Sequence, residues 1–154
     1  MLVTIMTDAS LCGEQRVGGY GYWIASQRGK EAGGGVFKGT INDSYEAEFK
    51  AVANTLHTAI QKGLVLSGDR VIIQLDNSGV IHCMSGSNNV RKDIEPVYNL
   101  ITQLRDQLNL VLEFRHVKGH SNRKEKRYIA NNLCDMRAKK YMKQARKQHA
   151  SNDK

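Results

Sequence analysis

Apolar and polar residues follow two different periods along this chain, and together they predict an alternation of strands and helices. Short apolar or alternating runs bounded by glycine or polar residues predict five strands, at residues 2–8, 20–25, 35–39, 71–76 and 110–116. The first three are joined by short glycine-containing loops, which is typical of an antiparallel meander. Residues 77–84 are predicted as a short irregular or helical segment.

Apolar residues at offsets of three and four predict longer amphipathic helices. The first begins near Asp43, with Asp43 or Ser44 as its cap, and ends near Gly63. A second begins at Asp93 and tolerates Pro96 in its first turn. The final helix is predicted over residues 128–145, and residues 148–154 are predicted to be a frayed tail. We therefore expect one α/β domain over residues 1–147.

Length and composition fit one globular domain. The 154 residues include 40% hydrophobic and 25% charged residues. The chain has no apolar run of the roughly 20 residues that span a bilayer, and its N-terminus does not resemble a signal peptide. The odd number of cysteines, three, without C-x-x-C spacing favours reduced thiols. We predict a cytoplasmic monomer, because one sheet and its helices account for all the apolar stripes.

The net charge of +8 is concentrated near the C-terminus. Residues 115–154 contain 13 Lys and Arg against 3 Asp and Glu, whereas the rest of the chain is slightly acidic. Such asymmetry favours a polyanionic partner, most often nucleic acid. A solvated basic helix and tail that only aid solubility remain the alternative.

Four acidic residues occupy positions that suggest a shared metal site. Asp8 and Asp76 each follow an apolar strand, Glu48 lies beside the apolar stripe of the first helix, and Asp135 lies on the last helix. Glu46, unlike Glu48, is expected to be an exposed acid that interacts with the helix dipole. Carboxylates that converge in this way bind hard divalent cations.

Other chemistries receive little support from the sequence. The glycines form neither a dinucleotide-binding nor a P-loop motif. His116 and His120 have the H-x-x-x-H spacing, but His116 ends a strand, which disfavours a helical zinc site. Cys134 precedes Asp135 without an adjacent base and is expected to be a packing residue.

Four local motifs occur in an order that indicates a family. They are Thr7-Asp8-Ala9-Ser10, Ala47-Glu48-Phe49 followed by Ala51, Leu75-Asp76-Asn77-Ser78, and Val117-Lys118-Gly119-His120-Ser121 followed by Asn131 to Asp135. With these motifs the chain resembles type 1 ribonuclease H over nearly its whole length. The resemblance implies a five-stranded mixed sheet, three antiparallel strands followed by two parallel ones, with helices on both faces.

The resemblance also implies a reaction and its catalytic residues. Asp8, Glu48, Asp76 and Asp135 would bind two Mg²⁺ ions, for which Mn²⁺ can substitute, and His120 would be a catalytic histidine on a loop. The substrate would be the RNA strand of an RNA–DNA hybrid, cleaved to 5′-phosphate and 3′-hydroxyl ends. Two closely spaced ions suit phosphodiester hydrolysis, since they activate water and stabilise the leaving oxygen.

By the same resemblance, hybrid binding would combine 2′-hydroxyl recognition with contacts to phosphates. The expected substrate-binding residues are Ser10, Cys12, Gly13, Ser44, Tyr45, Asn77, Ser78, Lys118, Arg123, Lys124, Lys126 and Arg127. The chain departs from many bacterial relatives in its short segment 85–92, which lacks their basic, tryptophan-containing protrusion. The basic stretch after His120 is expected to compensate.

Two rival functions remain open at this point. A nuclease or junction resolvase acting on DNA can use the same fold and carboxylates. A non-catalytic hybrid-binding module can keep the fold without the reaction, although the presence of all four carboxylates argues against it.

Overall fold

The computed structural model describes residues 1–86, 89–117 and 126–152, with side chains for all of these except residues 126, 127 and 152. Its elements, in chain order, are β1 (Leu2–Cys12), β2 (Val17–Ser26), β3 (Gly29–Val36), α1 (Ser44–Gln61), β4 (Arg70–Leu75), α2 (Ser78–Met84), α3 (Glu95–Gln107), β5 (Val111–His116) and α4 (Lys126–Asn152).

The strands form one mixed sheet in the order β3-β2-β1-β4-β5. The strands β1, β2 and β3 pair antiparallel, whereas β4 pairs parallel with β1 and β5 pairs parallel with β4. The predicted fold class is therefore confirmed. The parallel pairs need crossover connections, and helices provide them.

The strand β1 is longer than the predicted run 2–8, and this changes the position of Asp8. Its pairing with β4 ends at Met6, opposite Gln74, but its pairing with β2 continues to Cys12, opposite Val17. Asp8 thus lies inside a strand, just beyond the point where β1 and β4 separate. The prediction that Asp8 ends its strand was wrong, because polar residues can continue a hairpin after its apolar run has ended.

The boundaries of β2 and β3 were also predicted wrongly, and glycine explains the error. We assigned Gly18 and Gly19 to a turn, but both lie in β2, and β3 ends at Val36 instead of starting near Gly35. A Cβ atom on Gly19 would collide with Tyr141 of α4. Gly19 therefore allows α4 to approach the sheet closely, whereas a Cβ atom on Gly18 would collide with the Ser10 carbonyl oxygen of β1. A turn-based interpretation misses both close approaches.

The two faces of the sheet bury separate cores. One face packs against α1, α2 and α3 through a large cluster that includes Ile5, Phe49, Leu56, Ile73 and Ile101, all fully buried. The other face packs against α4 through a cluster formed by Met6, Val117, Tyr128, Ala130 and Cys134. Because side chains alternate along β1, Ile5 belongs to the first core and Met6 to the second.

The first helix begins as predicted, with Asp43 as its N-cap. The Asp43 carboxylate accepts a hydrogen bond from the backbone N–H of Glu46, at 3.0 Å. Glu46 is not exposed, contrary to expectation, since its carboxylate turns back to accept from the N–H of Asn42 at 2.7 Å. The pair resembles a capping box, but the Glu46 carboxylate accepts from Asn42, the residue before the N-cap, instead of from the N-cap itself. Both hydrogen bonds hold the first turn of α1 in place.

The last helix is longer than predicted. It includes residues 148–152, for which we expected a frayed tail, while the assignment of residues 1–147 to one catalytic domain stays a prediction. Among the described residues, none of the helices is long and apolar enough to cross a membrane.

Candidate active site

Two strands of the sheet and two helices bring the four predicted carboxylates to one region. Asp8 lies in β1 next to the split from β4, and Asp76 follows the last residue of β4. Glu48 is in the second turn of α1, and Asp135 is in α4. Asp8 and Met6 point to the same face because strand side chains alternate, and that face carries α4. Asp8 is thus directed towards Asp135.

Asp8 is the centre of a row of acids. Its carboxyl group is in hydrogen-bond contact with those of both Asp135 and Glu48, and Glu48 in turn interacts electrostatically with Asp76. The backbone N–H of Ala9 donates to Asp8 at 3.0 Å and to Glu48 at 3.3 Å. The contacts therefore run in the order Asp135, Asp8, Glu48, Asp76.

Burial makes the ionised forms of the central acids unfavourable. It is the main cause that raises the pKa of Asp8 from 3.8 to about 7, and contact with Asp135 adds to the shift. The pKa of Glu48 is also raised, again by burial first and then by the charge of Asp8. Like charges crowded in a partly buried site destabilise each other, and a bound cation would relieve this repulsion.

One carboxylate oxygen of the site, Glu48 Oε2, is fully buried and accepts no hydrogen bond from any residue that the structure describes. A buried carboxylate oxygen normally has a donor or a cation beside it. The all-oxygen donor set suits Mg²⁺ or Mn²⁺, which prefer carboxylates and water. The residues present therefore fit a divalent cation.

The outer two acids are turned towards cationic or imidazole neighbours. His116 Nε2 lies 2.9 Å from Asp76 Oδ1, and Lys139 Nζ lies 3.1 Å from Asp135 Oδ2. In their present side-chain conformations, the described residues contain no group of three His, Cys, Asp or Glu that could hold a metal ion. Binding a cation by all four acids would require Asp76 and Asp135 to change these partners.

Glycine in β2 determines how closely α4 approaches Asp8. Gly21 pairs with Asp8 across the hairpin, and a Cβ atom on it would collide with the Cys134 carbonyl oxygen and lie 2.8 Å from Arg137 Cβ. Cys134 itself is fully buried, and burial raises the pKa of its thiol to about 12, so it is a packing residue as expected. Gly21 therefore allows Asp135 to reach Asp8.

Sequence reasoning missed Gly21, the His116 contact with Asp76 and the Lys139 contact with Asp135. A glycine inside the strand-like run Tyr20-Gly21-Tyr22 is a signal of close backbone approach that could have been used. Lys139 follows Asp135 by four residues on a helix, which is a spacing that pairs charges. Nothing in the sequence places His116 beside Asp76, because that contact depends on the parallel register of β4 and β5.

Seven of the predicted substrate-binding residues lie on elements around the acids. Asn77 caps α2, its side chain accepting from the N–H of Val80 at 3.0 Å. Tyr45 is held by Phe49, with ring centroids 5.1 Å apart, and its hydroxyl contacts Cys83. The remaining five are at the end of β1, in the turn that follows it, or in the first turn of a helix: Ser10, Cys12, Gly13, Ser44 and Ser78. Their roles stay predictions.

The other predicted residues cannot be placed in the same detail. Lys118, His120, Arg123 and Lys124 lie outside the described residues. Lys126 and Arg127 belong to the first turn of α4, but their side chains lie outside the described part.

A mixed five-stranded sheet with a row of acids where the parallel strands β1 and β4 separate defines a class of α/β proteins suited to metal-assisted phosphoryl chemistry. The family model for RNase H matches residues 2–143. The chain belongs to the RNase H family and is a ribonuclease H. This confirms the resemblance found in the sequence.

Solved structures show the same fold. The N-terminal RNase H domain of a Mycobacterium tuberculosis protein, solved as a fusion with maltose binding protein, superposes with a TM-score of 0.70 at 19% identity, covering 96% of this chain and 97% of that one. RNase H1 from the halophilic archaeon Halobacterium salinarum gives 0.70 at 17% identity, covering 92% and 97%. LC11-RNase H1, in complex with an RNA/DNA hybrid, gives 0.67 at 19% identity, covering 90% and 97%. The chain has no significant match among curated protein sequences.

Proposed function

We propose that this protein hydrolyses the RNA strand of RNA–DNA hybrids with two divalent cations, leaving 5′-phosphate and 3′-hydroxyl ends. The observation that carries the proposal is the row of four carboxylates with Asp8 at its centre and a buried oxygen on Glu48 that accepts no hydrogen bond from the described residues. The LC11 relative, which is similar in fold, has been solved with an RNA/DNA hybrid, and this supports the choice of substrate.

The order of the contacts between the acids suggests which of them would bind each ion. Asp8 contacts both neighbours and is suited to bridge two ions, with Glu48 and Asp76 on one side and Asp135 on the other. When bound, Mg²⁺ ions would activate water near neutral pH and neutralise charge at the leaving oxygen. The raised pKa values of Asp8 and Glu48 imply that these residues release protons as they bind cations, so activity should increase with pH through neutrality.

His120 is proposed to transfer a proton near the leaving group, a task that an imidazole can perform near neutral pH. Ser10, Cys12, Gly13, Ser44, Tyr45, Asn77 and Ser78 are proposed to contact the RNA strand. The proposal rests on family likeness and on their position around the acids.

The basic surface of α4 supports a polyanionic substrate. Asp135 is the last acidic residue before position 153, and five basic side chains of the helix after it are exposed: Lys139, Lys140, Lys143, Arg146 and Lys147. By contrast Arg91, one of two cations in the short segment 85–92, is engaged by Asp43 and Asp93 at 2.5 to 3.0 Å. Phosphate contacts are therefore expected from α4 and the basic stretch before it.

A cleavage assay tests the proposal. End-labelled RNA–DNA hybrid, double-stranded RNA and duplex DNA are incubated with Mg²⁺, Mn²⁺ or chelator. We expect cleavage of the hybrid alone, abolished by chelator and by Asp76→Asn, with 5′-phosphate on the products. Asp106→Asn, which changes an exposed acid on α3, is the matched control and should be fully active.

Two other outcomes of this assay would each support a different function. Cleavage of duplex DNA would support a DNA-acting nuclease, and binding of hybrid without products would support a non-catalytic module. Titration calorimetry with Mg²⁺ on the complex of the unchanged protein with a hybrid that carries non-hydrolysable linkages would report the number of ions, and a single ion would contradict the two-ion mechanism.

The phosphate contacts are tested separately. Neutralising Lys124, Lys126 and Arg127 together should sharply raise the KM for hybrid, with little change in kcat. The dependence of KM on salt should also become weaker, since fewer counterions are released. An unchanged KM would show that the hybrid is held elsewhere.

A further inference from the structure

A groove on the far side of α1 is not used by the proposed reaction. It has a volume of about 510 Å³ and lies between α1 and α3, with part of its lining contributed by the end of β3. On a helix with 3.6 residues per turn, Lys50 and His57 are about half a turn away from Glu48. The groove therefore opens away from the acidic site.

The floor of the groove is apolar. Phe37, Ala53 and Val97 line it and are almost completely buried, while Leu100 stands at its edge with 42% of its surface exposed. Such a concave apolar surface beside an exposed leucine can bury one large apolar side chain of a ligand.

The rim of the groove is basic. Lys38, Lys50 and His57 line it, and none of its lining residues in the described part of the chain is acidic. Glu46 Oε2 is 3.6 Å from Lys50 Nζ, which is too long for a hydrogen bond, while the other Glu46 oxygen accepts from the N–H of Asn42. Lys50 thus has only a long, weak ion pair and can bind a further anion.

The spacing of the basic groups indicates the size of the occupant. Seven residues separate Lys50 from His57 along α1, which corresponds to roughly 10 Å at 1.5 Å per residue. An extended peptide covers this distance with about three residues, at about 3.3 Å each. A ligand that reaches both groups and fills the floor between them matches a short peptide better than a single small anion.

We propose that this groove binds an acidic peptide segment of a partner protein, with one aromatic or large aliphatic side chain on the apolar floor. Carboxylates of the segment would pair with the basic side chains of the rim, Lys38, Lys50 and His57. Nucleic acid fits less well, because its phosphates have the more open basic surface of α4, and a floor with buried apolar groups offers them no donors. The inference does not depend on the proposed reaction.

The probe is a fluorescein-labelled pentapeptide with two acidic residues on each side of one phenylalanine, followed by fluorescence anisotropy at low salt. We expect saturable binding. Replacing its phenylalanine by serine, or its acids by lysine, should weaken binding at least tenfold. N-acetylphenylalanine alone should bind much more weakly than the pentapeptide; equal affinity would overturn the peptide proposal in favour of a small-molecule site.

Variants locate the site. Lys38→Glu with Lys50→Glu, and separately Leu100→Asp, should each weaken peptide binding at least tenfold. The matched control Lys30→Glu reverses an exposed charge of β3 outside the groove and should change affinity less than twofold. Thermal unfolding of each variant checks that the fold is kept, and Leu100→Asp serves as the test if the double variant unfolds.

Three further results would overturn the proposal. They are absence of saturable binding, equal weakening by Lys30→Glu and by the groove variants, and displacement of the peptide by RNA–DNA hybrid. The last result would place the peptide on the nucleic-acid surface instead of the groove.

Discussion

Replacing Asp8 by asparagine should stabilise the metal-free protein at alkaline pH, although it should abolish cleavage. Burial and contact with Asp135 raise the pKa of Asp8 from 3.8 to about 7. In the unfolded chain the pKa is near its ordinary value, so between these two values the folded state binds more protons. The free energy of unfolding therefore falls as pH rises through this interval, and the loss is complete above pH 7.

The size of the effect follows from the same shift. Since each tenfold change in proton affinity corresponds to about 1.4 kcal/mol, ionising Asp8 in the folded protein costs at most about 4 kcal/mol. Asp8 shares its environment with Asp135 and Glu48, and these charges remain in the variant. We therefore expect Asp8→Asn to raise the free energy of unfolding by about 1 to 3 kcal/mol at pH 8, and by much less at pH 4.5.

The assay is urea unfolding with chelator at pH 4.5 and pH 8, with Asp106→Asn as the control for loss of an exposed acid. Adding Mg²⁺ at pH 8 should stabilise the unchanged protein more than Asp8→Asn, because a cation replaces the missing protons. If Asp8→Asn raises the free energy of unfolding equally at the two pH values, or lowers it at pH 8, the electrostatic reasoning is refuted.

Three further substitutions test other parts of the structure. Gly21→Ala should cost about 3 kcal/mol and most of the cleavage activity, because a Cβ atom would displace α4; normal stability in urea would contradict this close approach. Asp69→Asn should cost about 3 kcal/mol at pH 7, because Asp69 is buried and binds Arg28 at 2.9 Å. The Arg28 contact lowers the pKa of Asp69, so this difference should disappear only in strong acid; a difference constant with pH in urea unfolding would exclude the ion pair. Arg91→Ala should cost about 1 kcal/mol in thermal unfolding, because this half-exposed residue anchors the α1 cap; a loss above 3 kcal/mol would indicate a larger role.

Local sequence patterns were enough to predict much of the architecture. The apolar stripe of α1 and its cap at Asp43 lie as predicted, because both depend on interactions within one or two turns. The strand β4 and the start of α2 after Asn77 also lie close to their predicted positions. The sheet order came from resemblance to a family, and the structure confirms it.

The strand boundaries near glycine could not be predicted in the same way. Gly18 and Gly19 resemble turn residues when only their neighbours in sequence are considered. In the fold both lie in β2. A helix more than 100 residues further along the chain packs directly on Gly19, and Gly18 lies against the backbone of β1. Contacts with other segments explain these glycines, and no local pattern contains such contacts.

The candidate site shows the same division between local and long-range information. By itself, the sequence determined that two acids follow apolar runs and two lie on helices, and that the positive charge is concentrated after residue 115. Only the tertiary structure decided that Asp8 is the central acid and that Asp76 contacts His116. These facts depend on the extra length of β1 and on the parallel register of β4 and β5, so they arise only when distant segments pack together.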